Sequence, residues 1–217
     1  MPSRPVVVVI AGPNGSGKTG LSENLLSDDW FPAESWINPD VIAQNEFGGW
    51  NDRESIIRAA NRARDIREER LLNGDHIVFE TVLSVGDKVD FLRRAKAAGY
   101  FVHMLFVGTK DPRINASRVA NRVIMGGHDV PIAKIVSRYS KSIANGAVVA
   151  SFANCTHIFD NSDELAAPRL VAHLVDGSLA FKCGDALPSW ATLLVGDALS
   201  CQTDARPARF GRTPWMR

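Results

Sequence analysis

Gly12-Pro13-Asn14-Gly15-Ser16-Gly17-Lys18-Thr19 is the segment whose residue types and spacing say most about chemistry. Glycines at the two ends of a G-x-x-x-x-G-K-T pattern let backbone amides turn inward onto phosphate oxygens. The Lys18 ammonium neutralises phosphate charge, and the Thr19 hydroxyl is a ligand for Mg2+. The competing reading is a chance glycine-rich turn, and the flanks argue against it. Val6 to Ile10 is a continuous β-branched run suited to a strand buried on both faces, and Leu21 and Leu25 recur at helical spacing afterwards. The loop predicts binding of a nucleoside triphosphate, ATP or GTP, with Mg2+.

Phosphate binding alone does not separate a kinase from a switch or a motor ATPase, so the acceptor side needs its own evidence. Asp40 follows Asn38 and Pro39 after a short predicted strand, Ser35 to Asn38, and Glu80 closes the predicted strand His76 to Glu80. Carboxyl ends of neighbouring strands in an open α/β sheet form the ligand crevice. A carboxylate there can take the proton of an attacking hydroxyl, while a second holds another hydroxyl or a magnesium-bound water. We assign the base to Asp40 and orientation to Glu80, with Thr81 as an added ligand hydroxyl. The plainer alternatives are a helix N-terminal aspartate stabilised by the dipole and a solvated strand end.

Arg118 and Arg122 stand four residues apart on one predicted helical face, opposite Val119 and Val123, and Arg138 lies on the next helix. Guanidinium groups on a covering segment stabilise charge on a transferring phosphoryl group; an ordinary solvated face is the alternative for all three. His128, in the break Gly126-Gly127-His128-Asp129-Val130-Pro131, is open to substrate contact or to a local hydrogen bond. Trp30, Phe31 and Trp36 are read as packing.

These residues need a scaffold that alternates strand and helix. After the loop come predicted helices from Val41, over Asn51 to Gly74 with an Asn51/Glu54 capping box, over Val89 to Ala98, Asp111 to Ile124 and Ile132 to Phe152. Strands are predicted over Tyr100 to Val107 and Thr156 to Phe159, then a last helix over Asp163 to Val175, and possible edge strands over Leu179 to Lys182 and Thr192 to Val195. The expectation is an α/β fold of the P-loop NTPase kind, with a parallel five-stranded sheet flanked by helices and a helical lid over about 111–150. The kinase domain would span 1–177, and 178–217 an extension ending in a mobile tail.

Bulk composition sets bounds. The 217 residues are 45% apolar and 23% charged, ordinary globular usage, and 25 Lys plus Arg against 24 Asp plus Glu leave no footprint of a general nucleic-acid or anionic-membrane binder. Cys155, Cys183 and Cys201 lack the paired spacing of a zinc site or of a disulfide framework, and no apolar run is long enough to span a bilayer. A cytoplasmic protein with reduced thiols is expected.

Taken together, the phosphate loop, Asn38-Pro39-Asp40, Phe79-Glu80-Thr81, the arginine pair and the GGHDVP segment ahead of Arg138 resemble the zeta-toxin family of P-loop kinases, over about Val6 to Asn161. The best-understood members are toxins of bacterial toxin-antitoxin pairs that use ATP to phosphorylate the 3′-hydroxyl of UDP-N-acetylglucosamine. The resemblance implies Asp40 as base, Glu80 and Thr81 on the sugar nucleotide, Arg118 or Arg122 as the lid arginine, Asn161 beside adenine, and a small antitoxin as partner. His128 ahead of Pro131 departs from the family, which places a second lid arginine there; Arg138 is the candidate to replace it. Two readings compete with a small-molecule kinase: a nucleotide-gated regulatory ATPase, and a polynucleotide kinase, for which the balanced charge offers no basic groove.

Overall fold

Val6–Ala11 (β1) is buried at every position, and its side chains alternate between two apolar layers. That is the pattern of a central strand in a sheet covered on both faces. It leads into helix α1 (Lys18–Ser27), and strand β2 (Trp36–Ile37) into α2 (Pro39–Phe47). The chain continues through α3 (Arg53–Asn73), β3 (Ile77–Thr81), α4 (Asp87–Ala97), β4 (Phe101–Gly108), α5 (Pro112–Ile124), α6 (Ile132–Ala150) and β5 (Cys155–Asp160). It closes with β6 (Arg169–Val175), β7 (Ser178–Lys182) and α7 (Ser189–Val195). The structure, a computed structural model, describes residues 4–27, 35–49, 52–125 and 130–196.

The strands form one sheet in the order β2-β3-β1-β4-β5-β6-β7. The first five are parallel, while β6 runs antiparallel to β5 and β7 antiparallel to β6. The sheet is therefore seven-stranded and mixed, which corrects the expected five-stranded parallel one. The expected helix over Asp163 to Val175 is strand β6. Pro168 blocks a helix through that stretch, and Asp176 (φ 45°) with Gly177 (φ 77°) makes the tight turn that sends the chain back as β7. Conversely, the expected strand Thr192 to Val195 lies in helix α7, which follows Pro188 and buries Trp190, Ala191, Leu194 and Val195 at helical spacing. Helix α3 is capped by Asp52, whose side chain accepts from Ser55 N at 2.8 Å, one residue beyond the expected cap.

On one face, Val7, Val9, Phe79, Met104, Phe106 and Ile158 pack with side chains of α3, α4, α6 and α7. On the other, Val8, Ile10, Leu105, Val107 and Phe159 form a second layer, against which Leu21 of α1 and Trp36 rest. Among the described residues, no helix is long and apolar enough to cross a membrane.

Candidate active site

At the carboxyl end of β1 the chain turns through Gly12 to Gly17 before α1 begins at Lys18. The first amides of a helix have no carbonyl one turn back to bond, so they point outward with the positive end of the helix dipole. Glycine is required by contact as well as by conformation. A Cβ on Gly15 (φ 73°) would stand 2.5 Å from Asn115 O, and one on Gly17 (φ 92°) 2.2 Å from the Asn161 side-chain amide. The Lys18 ammonium folds back over the loop and donates to Gly12 O and Pro13 O, both at 2.9 Å. Burial pushes the Lys18 pKa down to about 8; Glu80 opposes that shift and Arg122 adds to it.

The loop is braced by residues that the motif does not contain. Asn115, fully buried on α5, donates to Asn14 O at 2.7 Å and accepts a hydrogen bond from the Thr109 hydroxyl. Tyr139 of α6 donates to Thr109 O at 2.5 Å. Asn161, expected beside adenine, donates from its side chain to Ser16 O at 2.8 Å and from its backbone to Gly108 O at 2.8 Å. Its side-chain amide is thus set against the loop. Asn115 had a signal in the sequence, since it lies four residues before Val119 on the apolar face of the same helix.

Glu80 stands at the end of β3, next to β1 in the sheet, so its carboxylate comes up beside α1. Thr19 Oγ1 donates to Glu80 Oε2 at 3.4 Å, and Ser22 Oγ to Glu80 Oε1 at 2.5 Å, with Thr19 O 2.8 Å from the same hydroxyl. Ser22 was not anticipated, although it lies one helical turn past Thr19. Thr81 accepts from Leu83 N at 3.0 Å through its hydroxyl. Asn38 caps α2, accepting from Asp40 N at 2.9 Å, and Pro39 fills the first turn. This cap fixes the backbone of Asp40, whose side chain is exposed.

Lys18, Thr19, Asn38, Asp40, Glu80 and Thr81 line a single cleft of about 760 Å³, together with Arg118 and Arg122. The two arginines differ in setting. Arg118 donates to Asn161 O at 2.8 Å and Asp163 O at 3.4 Å, and lies 3.7 Å from Glu164, so its guanidinium is tied to the segment after β5. Arg122, one turn on, is exposed along the cleft. Arg138 reaches the outside of the loop, 3.4 Å from Asn14 Oδ1, and does not line the cleft. His128 lies outside the described residues, as do Trp30 and Phe31.

The glycine cradle, its amides and Lys18 fit a polyphosphate. The Thr19 hydroxyl and Glu80 carboxylate are hard oxygen donors of the kind Mg2+ prefers. A chain of the AvrRxo1-ORF1:ORF2 complex solved with ATP superposes with a TM-score of 0.62 at 19% identity, over 82% of this chain and 60% of that one. The PezAT chromosomal toxin-antitoxin system of Streptococcus pneumoniae gives 0.54 at 16% identity, over 73% of this chain and 68% of that chain. The chain shares the α/β fold of these two solved structures. It spans about three-fifths of the AvrRxo1 complex chain it matches. By sequence, an uncharacterized protein of Haemophilus influenzae is 27% identical over 132 residues, 61% of this chain and 91% of that protein. No protein-family profile matches the chain. At these identities the comparisons speak to fold alone.

Proposed function

We propose that the chain is an ATP-dependent kinase of zeta-toxin type, which transfers the γ-phosphoryl group to a hydroxyl of a small acceptor, a sugar nucleotide such as UDP-N-acetylglucosamine. The observation that carries this reading is the pair of carboxylates, Asp40 and Glu80, in the same cleft as the phosphate loop. A hydrolase or switch needs the loop and a positioned water. A second carboxylate at the neighbouring strand end provides for an acceptor that must be both held and deprotonated.

In this reading the acceptor oxygen forms a bond to the γ-phosphorus as the bond to the β–γ bridging oxygen breaks, and Asp40 takes the hydroxyl proton. Glu80 and Thr81 hold the acceptor. Lys18 and the loop amides hold the phosphates, and Arg122, with Arg118 behind it, faces the charge on the moving group. Magnesium, when bound, screens the phosphate charge, and Thr19 with Glu80 would hold it, directly or through water.

The sugar-nucleotide acceptor rests on the family resemblance of the motifs. A toxin-antitoxin setting rests on that resemblance and on the fold shared with PezAT. A small antitoxin is the partner this implies, and the cytoplasm the compartment. Asp40→Asn should leave ATP affinity within about twofold while lowering transfer by roughly a hundredfold or more. Mass spectrometry of a metabolite extract incubated with protein, ATP and Mg2+ identifies the acceptor as a species heavier by one phosphate. Normal turnover by Asp40→Asn would remove Asp40 as base. ADP release with no phosphorylated product would instead favour a regulatory ATPase.

A further inference from the structure

The end of the sheet away from the nucleotide cleft carries a group of side chains that phosphoryl transfer does not use. Cys155 and His157 alternate along β5 and so project from the same face. Register places His103 of β4 opposite Cys155, and His173 of β6 opposite His157, so all four lie on one face of three adjacent strands. None of them lines the cleft. His103 pairs with Val8, three residues before Ala11 ends β1, or about 10 Å below the phosphate loop along the strand.

Their atoms converge. His103 Nε2 is 2.9 Å from His157 Nδ1, and Cys155 Sγ is 3.6 Å from His157 Nδ1 and 3.3 Å from His173 Nε2. One ligand atom from each of His103, Cys155 and His157 falls within 4.8 Å of the others. In a tetrahedral zinc site, with Zn–S about 2.3 Å and Zn–N about 2.0–2.1 Å, neighbouring ligand atoms stand about 3.3–3.6 Å apart. The three separations here, 2.9, 3.6 and 3.3 Å, depart from that by a few tenths of an ångström. The His157 and His173 rings are stacked at 4.3 Å between centroids with 4° between planes, so a modest turn of the more exposed His173 presents its Nε2 as fourth ligand.

The protonation states suit a cation. Burial, with repulsion from neighbouring histidines, holds His103 down at about 4 and His157 at about 2, and burial lowers His173. The neutral imidazole is the form that binds a metal ion, and burial favours it at all three. Burial, with the Asp176 carboxylate adding to it, raises the Cys155 thiol to about 12. Without an ion the group is a hydrogen-bonded cluster. With one, the Cys155 S–H bond breaks, its proton leaves to solvent and the thiolate bonds to the metal, with no change of oxidation state. Half-exposed His157 and His173 form the entrance, and buried His103 and Cys155 the floor.

We infer that His103, Cys155, His157 and His173 form a structural binding site for Zn2+, the borderline-soft divalent cation that favours mixed imidazole and thiolate ligands in a tetrahedron. Its place gives its role. A metal here clips β6, the first antiparallel strand, to the parallel strands β4 and β5, and so fastens the β6-β7 hairpin to the kinase core. The inference does not depend on the proposed phosphoryl transfer.

The test uses the full chain without an affinity tag, dialysed against EDTA, then titrated with Zn2+ in competition with a chromophoric chelator under excess Mg2+ to occupy hard-oxygen sites. The expected result is one Zn2+ per chain, about one proton released per ion, and a raised melting temperature. Co2+ in its place should give a thiolate-to-metal charge-transfer band with tetrahedral d–d intensity. Cys155→Ser should abolish the charge-transfer band, and both it and His173→Gln should weaken Zn2+ affinity at least tenfold. No ion held against the chelator, or binding unaltered by both substitutions, overturns the site. If Cys155→Ser does not fold, His173→Gln at its half-exposed position decides alone: unchanged affinity overturns the site, and a loss of tenfold or more supports it.

Discussion

On the phosphate wall of the cleft, the loop is held from behind at Asn14 by Asn115, at Ser16 by Asn161, and at its own Gly12 and Pro13 carbonyls by Lys18. On the acceptor wall, Asp40 stands exposed in the first turn of a nine-residue helix that follows an edge strand of two residues. One wall is fixed before any ligand arrives, and the other is attached at the sheet margin by a cap and a short ladder. The contrast separates two jobs. Under the proposed kinase reading the polyphosphate would be the same in every turnover and reward a rigid cradle, whereas the wall assigned to the acceptor could change with it at little cost to the fold. Substitutions on the first wall should therefore act through ATP, and those on the second through acceptor chemistry.

The largest expected break in that division, beside Asp40→Asn, lies in the two arginines that line the same cleft. Arg122→Ala should lower the rate of transfer by roughly a hundredfold to a thousandfold with little change in the KM for ATP. Arg118→Ala, whose guanidinium is committed to the Asn161 and Asp163 carbonyls, should cost about tenfold and raise that KM. Steady-state kinetics on both variants checks the pair, and equal losses would erase the distinction between them.

Next is Asn115→Ala, which removes the Asn115 donor from the Asn14 carbonyl and leaves the buried Thr109 hydroxyl only its longer bond to Asp111 O at 3.3 Å. A penalty of about 1–3 kcal/mol is expected. Calorimetry should show ATP binding weakened about tenfold or more and a melting temperature lower by several degrees, with the acceptor KM at saturating ATP unchanged.

Smaller still is the pH effect. In the ligand-free protein Lys18 titrates at about 8, well below its ordinary 10.5, because its amine is buried. Anionic phosphate favours the charged amine, so binding takes up a proton when pH exceeds 8. Affinity for ATP should be full below that pH and fall by at most tenfold per unit above it, with proton uptake read by titration calorimetry in two buffers of different ionisation enthalpy. The sign reverses for stability: between about 8 and 10.5 the unfolded chain holds the proton that the folded one releases, so the ligand-free fold gains stability as pH rises.

What the sequence made legible follows the range of the interactions concerned. The phosphate loop, its strand and its helix are contiguous, and Asp40 and Glu80 followed from the general rule that strand carboxyl ends meet in a crevice. Asn115 and Asn14 are 101 residues apart, and nothing local marks their contact beyond a polar residue on an apolar helix face. Strand β6 was hidden because Leu170, Val171, Leu174 and Val175 satisfy a helical period as well as an extended one. Pro168 and the Asp176-Gly177 turn carried the information that should have decided it. Asn161 was assigned by resemblance, and what the structure adds at that position is a bond to the phosphate loop, from its side chain to Ser16 O.

Helix α6 is long and its two ends are set in different surroundings. Near its carboxyl end Ile143, Val149 and Ala150 belong to the main core, and Gly146 lets Phe106 and Leu194 approach so closely that a Cβ there would meet the Phe106 ring at 2.6 Å. Near its start, Ile135 packs with Val119 of α5 in a small separate cluster, and Arg138 touches the phosphate loop. From Gly146 to Arg138 is about 12 Å of helix, so a tilt of about ten degrees about the anchored end carries the guanidinium some 2 Å. The absence of one methyl group at Gly146 thus sets how closely the rod lies on Phe106, and with it the place of a positive charge beside the phosphate loop about two turns away.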